Sequence, residues 1–461
     1  MERDGHLESI WQSEVKHYGQ KEISPTPNFD VVIAGAGITG ITSAIMLQKN
    51  GVNCILVEAA NMGFGTTGGT TAHLNNFFDK PYYQVIKEFG LDSAKLLAKA
   101  AREANDIIKD NINIYQIYCD YSIRNGYMFS LDENQDKELQ KIIEGHHQVG
   151  IETFKTNVNP FGIPSVRVVE IPNQAQFHPL KYLRILLKEF IHNGGVYIED
   201  CRIISVDKKN ETLIATTNKG SIHSRYLIYA THIPPGRNII HFRNTPYRSY
   251  VMAVKLKSGH YPEALGYDLF EPYHYYRTHN IDGEDFLIAG GEDHKTGYVD
   301  NASDCFERLE SYLRRHFDIE NIAYKWSSQF YEPADGLPYI GHLPGNPENV
   351  YFATGYSGTG MIFGTLAAKI LNDVILKGNS IYEELFLTSR VKPVSGFNNI
   401  VKEAADKNNI IESDCTHLHC KVKWNQEEKS WDCPCHGSRF GIDGEVLTGP
   451  AVKKLKSLTE A

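Results

Sequence analysis

Four of the eight cysteines, Cys415, Cys420, Cys433 and Cys435, fall within 21 residues near the C-terminus. Two histidines stand among them, giving Cys415-x-His417 and Cys433-x-x-His436 with fifteen residues between the pairs. Two thiolates and two imidazoles make a metal site, and on ligand type alone zinc in a ribbon or finger is the ordinary occupant. Each loop holds one further cysteine, Cys420 and Cys435. The remaining four cysteines, Cys54, Cys119, Cys201 and Cys305, are scattered, as buried free thiols usually are.

A second chemistry is written at the other end of the chain. Phe29 to Glu58 reads as a buried strand, Gly35, Gly37 and Gly40 in G-x-G-x-x-G spacing, an apolar helical stripe from Ile38 to Lys49, and a strand Cys54–Val57. Glu58 closes the unit 18 residues after the last glycine. The first glycine makes the turn, the second admits a pyrophosphate to the backbone, and the third lets helix pack on strand. The helix start offers free N–H groups and a positive dipole end to phosphate, and Glu58 is placed to accept ribose hydroxyls. This is a dinucleotide site.

The elements that position these groups follow from periodicity. Residues 1–27 form a polar lead-in expected to drape over the first domain, and the glycine- and threonine-rich run Gly65 to Thr71 is a cofactor-lining loop. Helical spacing appears at Asp92 to Asn111, Pro179 to Ile191, Asn301 to Phe317 and Ile362 to Leu376. Tyr226 to His232 reads as a strand that reaches the cofactor at Ala230 and Thr231. The aromatic segments SYVMAVKL, YHYYRTH and FLIAGG, within residues 245 to 295, suit an antiparallel sheet laid over a ligand. With 461 residues, 41% of them hydrophobic and 22% charged, the chain has the composition of a globular protein of two or three domains. A net charge of −9 with no basic run argues against nucleic-acid binding. No apolar window approaches a membrane span, and the charged N-terminus lacks a signal core, so a cytoplasmic location is expected.

The Gly35 fingerprint, the GTTGGTTAHL loop, DGLPYIG (Asp335 to Gly341) and GYSGTGM (Gly355 to Met361) together resemble the FAD-dependent D-amino-acid oxidase, glycine oxidase and sarcosine oxidase superfamily. The resemblance implies an α/β Rossmann-like FAD-binding domain, from segments 28–90, 170–235 and 330–380, and an inserted antiparallel-sheet substrate domain, from 91–169 and 236–329. It implies FAD contacts from Gly35, Ala36, Gly37, Ile38, Thr39 and Gly40, and from Glu58 and Ala59. Gly65, Thr66, Thr67, Thr70 and Thr71 would follow, then Ile203, Ala230 and Thr231, and finally Gly355, Gly358, Thr359, Gly360 and Met361.

The second cysteine loop, CPCHGSRF, resembles the loops of Rieske [2Fe–2S] proteins. By that resemblance Cys415 and Cys433 hold one iron, His417 and His436 hold the other, and Cys420 pairs with Cys435 in a disulfide. Neutral imidazoles replacing thiolates raise such a cluster to about −150 to +300 mV. Two departures stand out. His419 occupies a position where these loops have glycine, and the polar, helix-like stretch 391–412 leaves the all-β domain at 413–461 short of its usual base strands.

The function expected is oxidation of a C–N bond of an amino acid or amine by hydride transfer to flavin. Electrons would then pass singly through the cluster to an unidentified acceptor. Arg277 is the candidate carboxylate grip, because a guanidinium makes two parallel bonds, with Tyr250, Tyr275 and Tyr276 lining the pocket and His73 and His232 near the flavin. A 2-hydroxy-acid dehydrogenase is the alternative on the same scaffold. A redox sensor without a dedicated substrate, and a flavoenzyme with a zinc-bound tail, are alternatives of other classes.

Overall fold

The glycine turn dictates how the first layer is built. In the computed structural model, which describes residues 3–12, 28–299, 301–390 and 414–456, Gly35 follows the strand Asn28–Ala34 with φ +104°. A Cβ there would lie 2.4 Å from the Ala230 carbonyl, and one on Gly40 would lie 1.8 Å from the Gly35 carbonyl. Only glycine lets the helix Ile38–Lys49 pack this closely on the strands.

Around that unit stands a sheet in the order Tyr339–His342, Val350–Thr354, Gly220–Tyr229, Asn28–Ala34, Cys54–Val57 and Val196–Ile198. Its centre is parallel and its Tyr339–His342 edge antiparallel. Strands such as CILV are buried throughout, the pattern of a sheet covered on both faces. The hairpin Ile203–Lys209 and Thr212–Thr217 extends from it.

The second sheet runs Ile319–Pro333, Asn244–Leu256, Glu284–Lys295, Tyr275–Ile281, Ala264–Asp268, Ser122–Ser130, Arg167–Gln176 and His73–Leu74, with Phe154–Thr156 beside Arg167–Gln176. All neighbours are antiparallel except Ala264–Asp268 with Ser122–Ser130, which run parallel. One face turns to the main core. The other packs Tyr250, Met252 and Tyr276 under the helix Ser303–His316. The two layers interleave more than the expected segments suggest. The helix Leu91–Ile114 packs on Gly360–Lys377 of the cofactor layer, and Arg167–Gln176 belongs to the substrate sheet up to its last residue.

The lead-in does more than drape. Ile10 and Trp11 are fully buried, Trp11 Nε1 donates to Thr70 O at 2.6 Å, and Ser9 Oγ to Gly68 O at 2.6 Å. This stretch therefore braces the cofactor loop from outside.

The tail is a four-stranded antiparallel sheet, Lys423–Asn425, Ser430–Asp432, Arg439–Phe440 and Val446–Thr448. Its own core is seven residues, two of them Cys415 and Cys433. The proposed linker 391–412 lies outside the described residues. Among the described residues no helix is long and apolar enough to cross a membrane.

Candidate active site and metal centre

One cavity of about 670 Å³ runs between the two sheets. From the expected FAD contacts it is lined by Gly35, Gly37, Ile38, Thr39, Glu58, Ala59, Gly65, Thr66, Thr67, Thr70, Thr71, Ile203, Ala230, Thr231, Gly358, Thr359, Gly360 and Met361. Ala36, Gly40 and Gly355 stand behind the wall. Gly40 serves the packing described above, and Ala36 N donates to Glu58 Oε2 at 2.8 Å. Burial raises the Glu58 carboxyl, while the N–H groups of Ala36 and Ala60 and the charge of Arg202 draw it back. Thr359 holds the N-cap position of the helix Gly360–Lys377 without a side-chain cap bond, and the helix's positive end meets the cavity. These donors, glycine clearances and the acid at one end fit an extended dinucleotide with a flavin at the other.

His73 and His232 both line the cavity. His73 Nε2 donates to Tyr276 O at 3.2 Å and its Nδ1 lies 3.0 Å from Thr71 Oγ1. Burial, reinforced by the Arg277 charge, lowers its pKa to about 3, so the ring is neutral. Burial also lowers His232, to about 4.

Of the residues expected around the substrate, Arg277, Tyr250 and Tyr276 do not line the cavity. Strand alternation sends Tyr275 into it and Tyr276 to the opposite face, where the Tyr276 hydroxyl meets Asp268 and Tyr312. Tyr250 likewise lies beneath the sheet, bonded to His294 Nε2 at 2.9 Å, while its neighbour Val251 faces the cavity. Arg277 shares the Tyr275 face but is fully buried beyond the cavity end. Its Nη1 donates to the carbonyls of Thr71, Ala72 and Phe177 at 2.7, 3.2 and 3.3 Å, and its Nη2 to His279 Nδ1 at 2.7 Å. It clamps the cofactor loop next to Ala72 at φ +56°, and its one donor without a partner, Nε, is buried away from the cavity, out of reach of a substrate carboxylate there. His178, given no role from sequence, caps the helix Pro179–His192 by accepting from Lys181 N.

What sequence missed is the acidity of this space. Seven of the described lining residues are Asp or Glu, only Arg202 is Arg, and none is Lys. Asp79, Glu138, Glu271 and Asp293 come from four separate segments and no motif. The only hint was an aspartate directly after the GTTGGTTAHLNNFF run.

At the tail, Cys420 and Cys435 form a disulfide with Cα atoms 6.4 Å apart. Cys415 and Cys433 are free and buried. A hydrogen bond from Cys433 holds the Cys415 thiol below its ordinary value and pushes Cys433 up. Backbone N–H groups of His417 and Leu418 point at one sulfur and those of Cys435 and His436 at the other, contacts that favour the thiolate against the opposing effect of burial. The His417 and His436 rings are 5.0 Å apart, and the Nδ1 of each is buried without a hydrogen-bond partner.

A relay fixes one tautomer. His241 Nε2 lies 2.9 Å from Pro234 O and must donate there, so its Nδ1 accepts from His417 Nε2 at 3.1 Å. That leaves the His417 Nδ1 lone pair free for a metal. Two sulfurs and two orphaned imidazole nitrogens fit the Rieske donor set. His419 has φ +60°, so the backbone keeps the left-handed turn expected of a glycine.

The cluster face is turned inward. His417 and His436 are 3% and 7% exposed, covered by His241 and by Phe242, whose ring lies 4.9 Å from His436. Tyr331 lines the cavity and donates to His436 O at 3.1 Å, and its ring meets His232 at 4.7 Å. Leu447, Thr448, Gly449, Ala451 and Val452 of the tail form part of the cavity wall.

Comparison with known proteins agrees with this geometry. Residues 30–374 match the family described as FAD dependent oxidoreductase, and residues 392–459 match the Rieske [2Fe-2S] domain. The putative Rieske 2Fe-2S iron-sulfur protein YhfW of Bacillus subtilis is 32% identical over 98% of this chain and 97% of its own. The Escherichia coli gamma-glutamylputrescine oxidoreductase is 24% identical, over 81% of this chain and 90% of its own. The glycine oxidase structure from Geobacillus kaustophilus superposes with a TM-score of 0.65 at 14% identity, over 80% of this chain and all of that one. The chain belongs to the DAO family of FAD-dependent oxidoreductases and carries a Rieske [2Fe–2S] domain at its C-terminal end.

Proposed function

We propose that this FAD-dependent oxidoreductase oxidises a carbon–nitrogen bond of an amine or amino acid, with the electrons leaving through the cluster to a separate one-electron acceptor. Bound at these sites, FAD supplies a two-electron acceptor for hydride and the cluster a one-electron acceptor. The observation that carries the reading is the shared wall: Tyr331 touches both the cavity and the backbone of the cluster ligand His436. An enzyme that discharged only to oxygen would gain nothing from a cluster domain that forms part of the cavity wall.

The chain's own residues orient more than they react. The Arg277 clamp and the Trp11 bond hold the Thr70–Ala72 carbonyls, keeping the loop that carries Thr66 and Thr67 in place. Neutral His73 is a fixed donor and acceptor, not a base, because burial keeps it unprotonated. Phe77, Phe78, Tyr267 and Phe330 exclude water from the space between the sheets. The relatives support the substrate class, since one is named for gamma-glutamylputrescine and another for glycine.

An anaerobic panel of amines, amino acids and 2-hydroxy acids read by flavin absorbance, followed by low-temperature EPR, tests the proposal. Bleaching by amines or amino acids, and a reduced-cluster signal that appears with it, are expected. Bleaching by hydroxy acids alone, or zinc in place of iron, overturns it.

A further inference from the structure

The substrate end of the cavity is lined by carboxylates that have no cation of their own. Asp79 accepts from Tyr273 Oη at 2.9 Å and from Gly358 N at 2.6 Å, and Asp293 Oδ1 is buried with no hydrogen-bond partner. Glu271 lines the same region. None of the three is in an ion pair among the described residues. The neighbouring protonated ring, His274, is shared by Asp268 at 2.9 Å and Glu292 at 3.8 Å, while Glu138 is tied to Lys141 at 3.1 Å. Burial and mutual repulsion push Asp293 up to about 7, a cost that a bound cation would relieve.

Two further observations, independent of that charge, indicate a ligand. His146 lines the same cavity at 1% exposure, and its Nδ1 has no hydrogen-bond partner. Tyr273 and Tyr275, with rings 5.8 Å apart, add aromatic faces of the kind that hold ammonium groups.

The reacting nitrogen of an amine must be neutral to give up hydride from its carbon. Carboxylates beside it would keep it protonated, so they serve a different nitrogen. A substrate carboxylate, for its part, would face these acids without a guanidinium beside it, since Arg277 is buried outside the cavity lining.

We infer that the substrate is a diamine or longer polyamine without a carboxylate, its distal ammonium held by Asp79, Glu271 and Asp293 among Tyr273 and Tyr275. This rests on the amine-oxidising reading above and narrows it.

The test uses the FAD- and iron-loaded protein and calorimetric titration under anaerobic conditions. Three probes share one carbon chain and differ at the far end: 1,4-diaminobutane, 1-aminobutane and 4-aminobutanoate. The diamine is expected to bind at least about tenfold more tightly than 1-aminobutane, with 4-aminobutanoate weakest, as unscreened buried charges dictate. In Asp293→Asn, with FAD content equal to wild type, the diamine advantage shrinks while 1-aminobutane binding stays the same. Glu271→Gln gives the same pattern if Asp293→Asn fails to load FAD. Equal or tighter binding of 4-aminobutanoate, or a diamine advantage intact in both variants, overturns the inference. Because the readout is binding, the two ideas fail separately. Tight diamine binding without bleaching by any amine sinks the proposed reaction and leaves the recognition standing. Bleaching by amino acids with no diamine binding does the reverse.

Discussion

The flavin-binding body and the cluster-bearing tail are held by different forces. The body buries a continuous apolar core in which strands such as Val31–Ala34 and helices such as Gly360–Lys377 are covered on nearly every side. The tail has seven core residues and leans on charges instead. Asp432, 3% exposed, receives Arg248 at 3.1 Å and Arg439 at 3.0 Å, and Arg439 also reaches Asp4 at 3.1 Å. Arg3 and the His6 N–H converge on Glu428 from the N-terminal segment. A domain this small cannot bury enough apolar surface to stand by its core alone. Buried ion pairs add little net stability over apolar packing, but they punish the loss of either partner. The lesson is that the tail is docked by registry, on one seat, and that its seat includes the segment around Arg3 to His6.

The strongest way to break this contrast is Asp432→Ala, which leaves Arg248 and Arg439 buried without a counter-charge. A loss of about 3–5 kcal/mol is expected, read as iron release at much lower urea than wild type while flavin-domain helicity persists. Iron release at the same urea as wild type would mean the tail stands alone. Gly40→Ala strikes the body instead. Its methyl would lie 1.8 Å from the Gly35 carbonyl, so overpacking of about 1–3 kcal/mol or more should reduce FAD occupancy, measured by absorbance, more than iron content.

His241→Leu probes the seam between the two. Removing the acceptor from the His417 N–H withdraws electron density from the ring, so the cluster midpoint should rise by roughly 40 mV, the equivalent of about 1 kcal/mol for one electron. Iron content should not change, and an unchanged midpoint in an EPR-monitored titration would remove His241 from any part in tuning. The smallest effect is expected at His419→Gly, where relieving φ +60° should stabilise the tail by about 0.5–1 kcal/mol. A destabilised tail would show that the His419 side chain makes a contribution beyond its backbone angle.

The dinucleotide unit was legible in sequence because its whole mechanism is local: Gly35 to Glu58 contains strand, turn, helix and acid within one stretch. The four candidate ligands were legible for the same reason. Arg277 misled because residue type cannot disclose that the carbonyls of Thr71, Ala72 and Phe177, some 100 to 206 positions away, take its donors. Tyr250 and Tyr276 fell to parity, since a strand in an aromatic-rich sheet offers either face until its neighbours are known. The acid ring was hidden by dispersion over four segments. Residues 3–12 read as polar, although Ile10 and Trp11 side by side in a charged run were a sign of burial.

The tail residues Leu447 to Val452 have a consequence for the life of the molecule. Because they wall the dinucleotide cavity, any loss of the tail from its seat also uncovers the flavin site. Undocking would thus take away the one-electron exit and open the flavin site to oxygen in a single event.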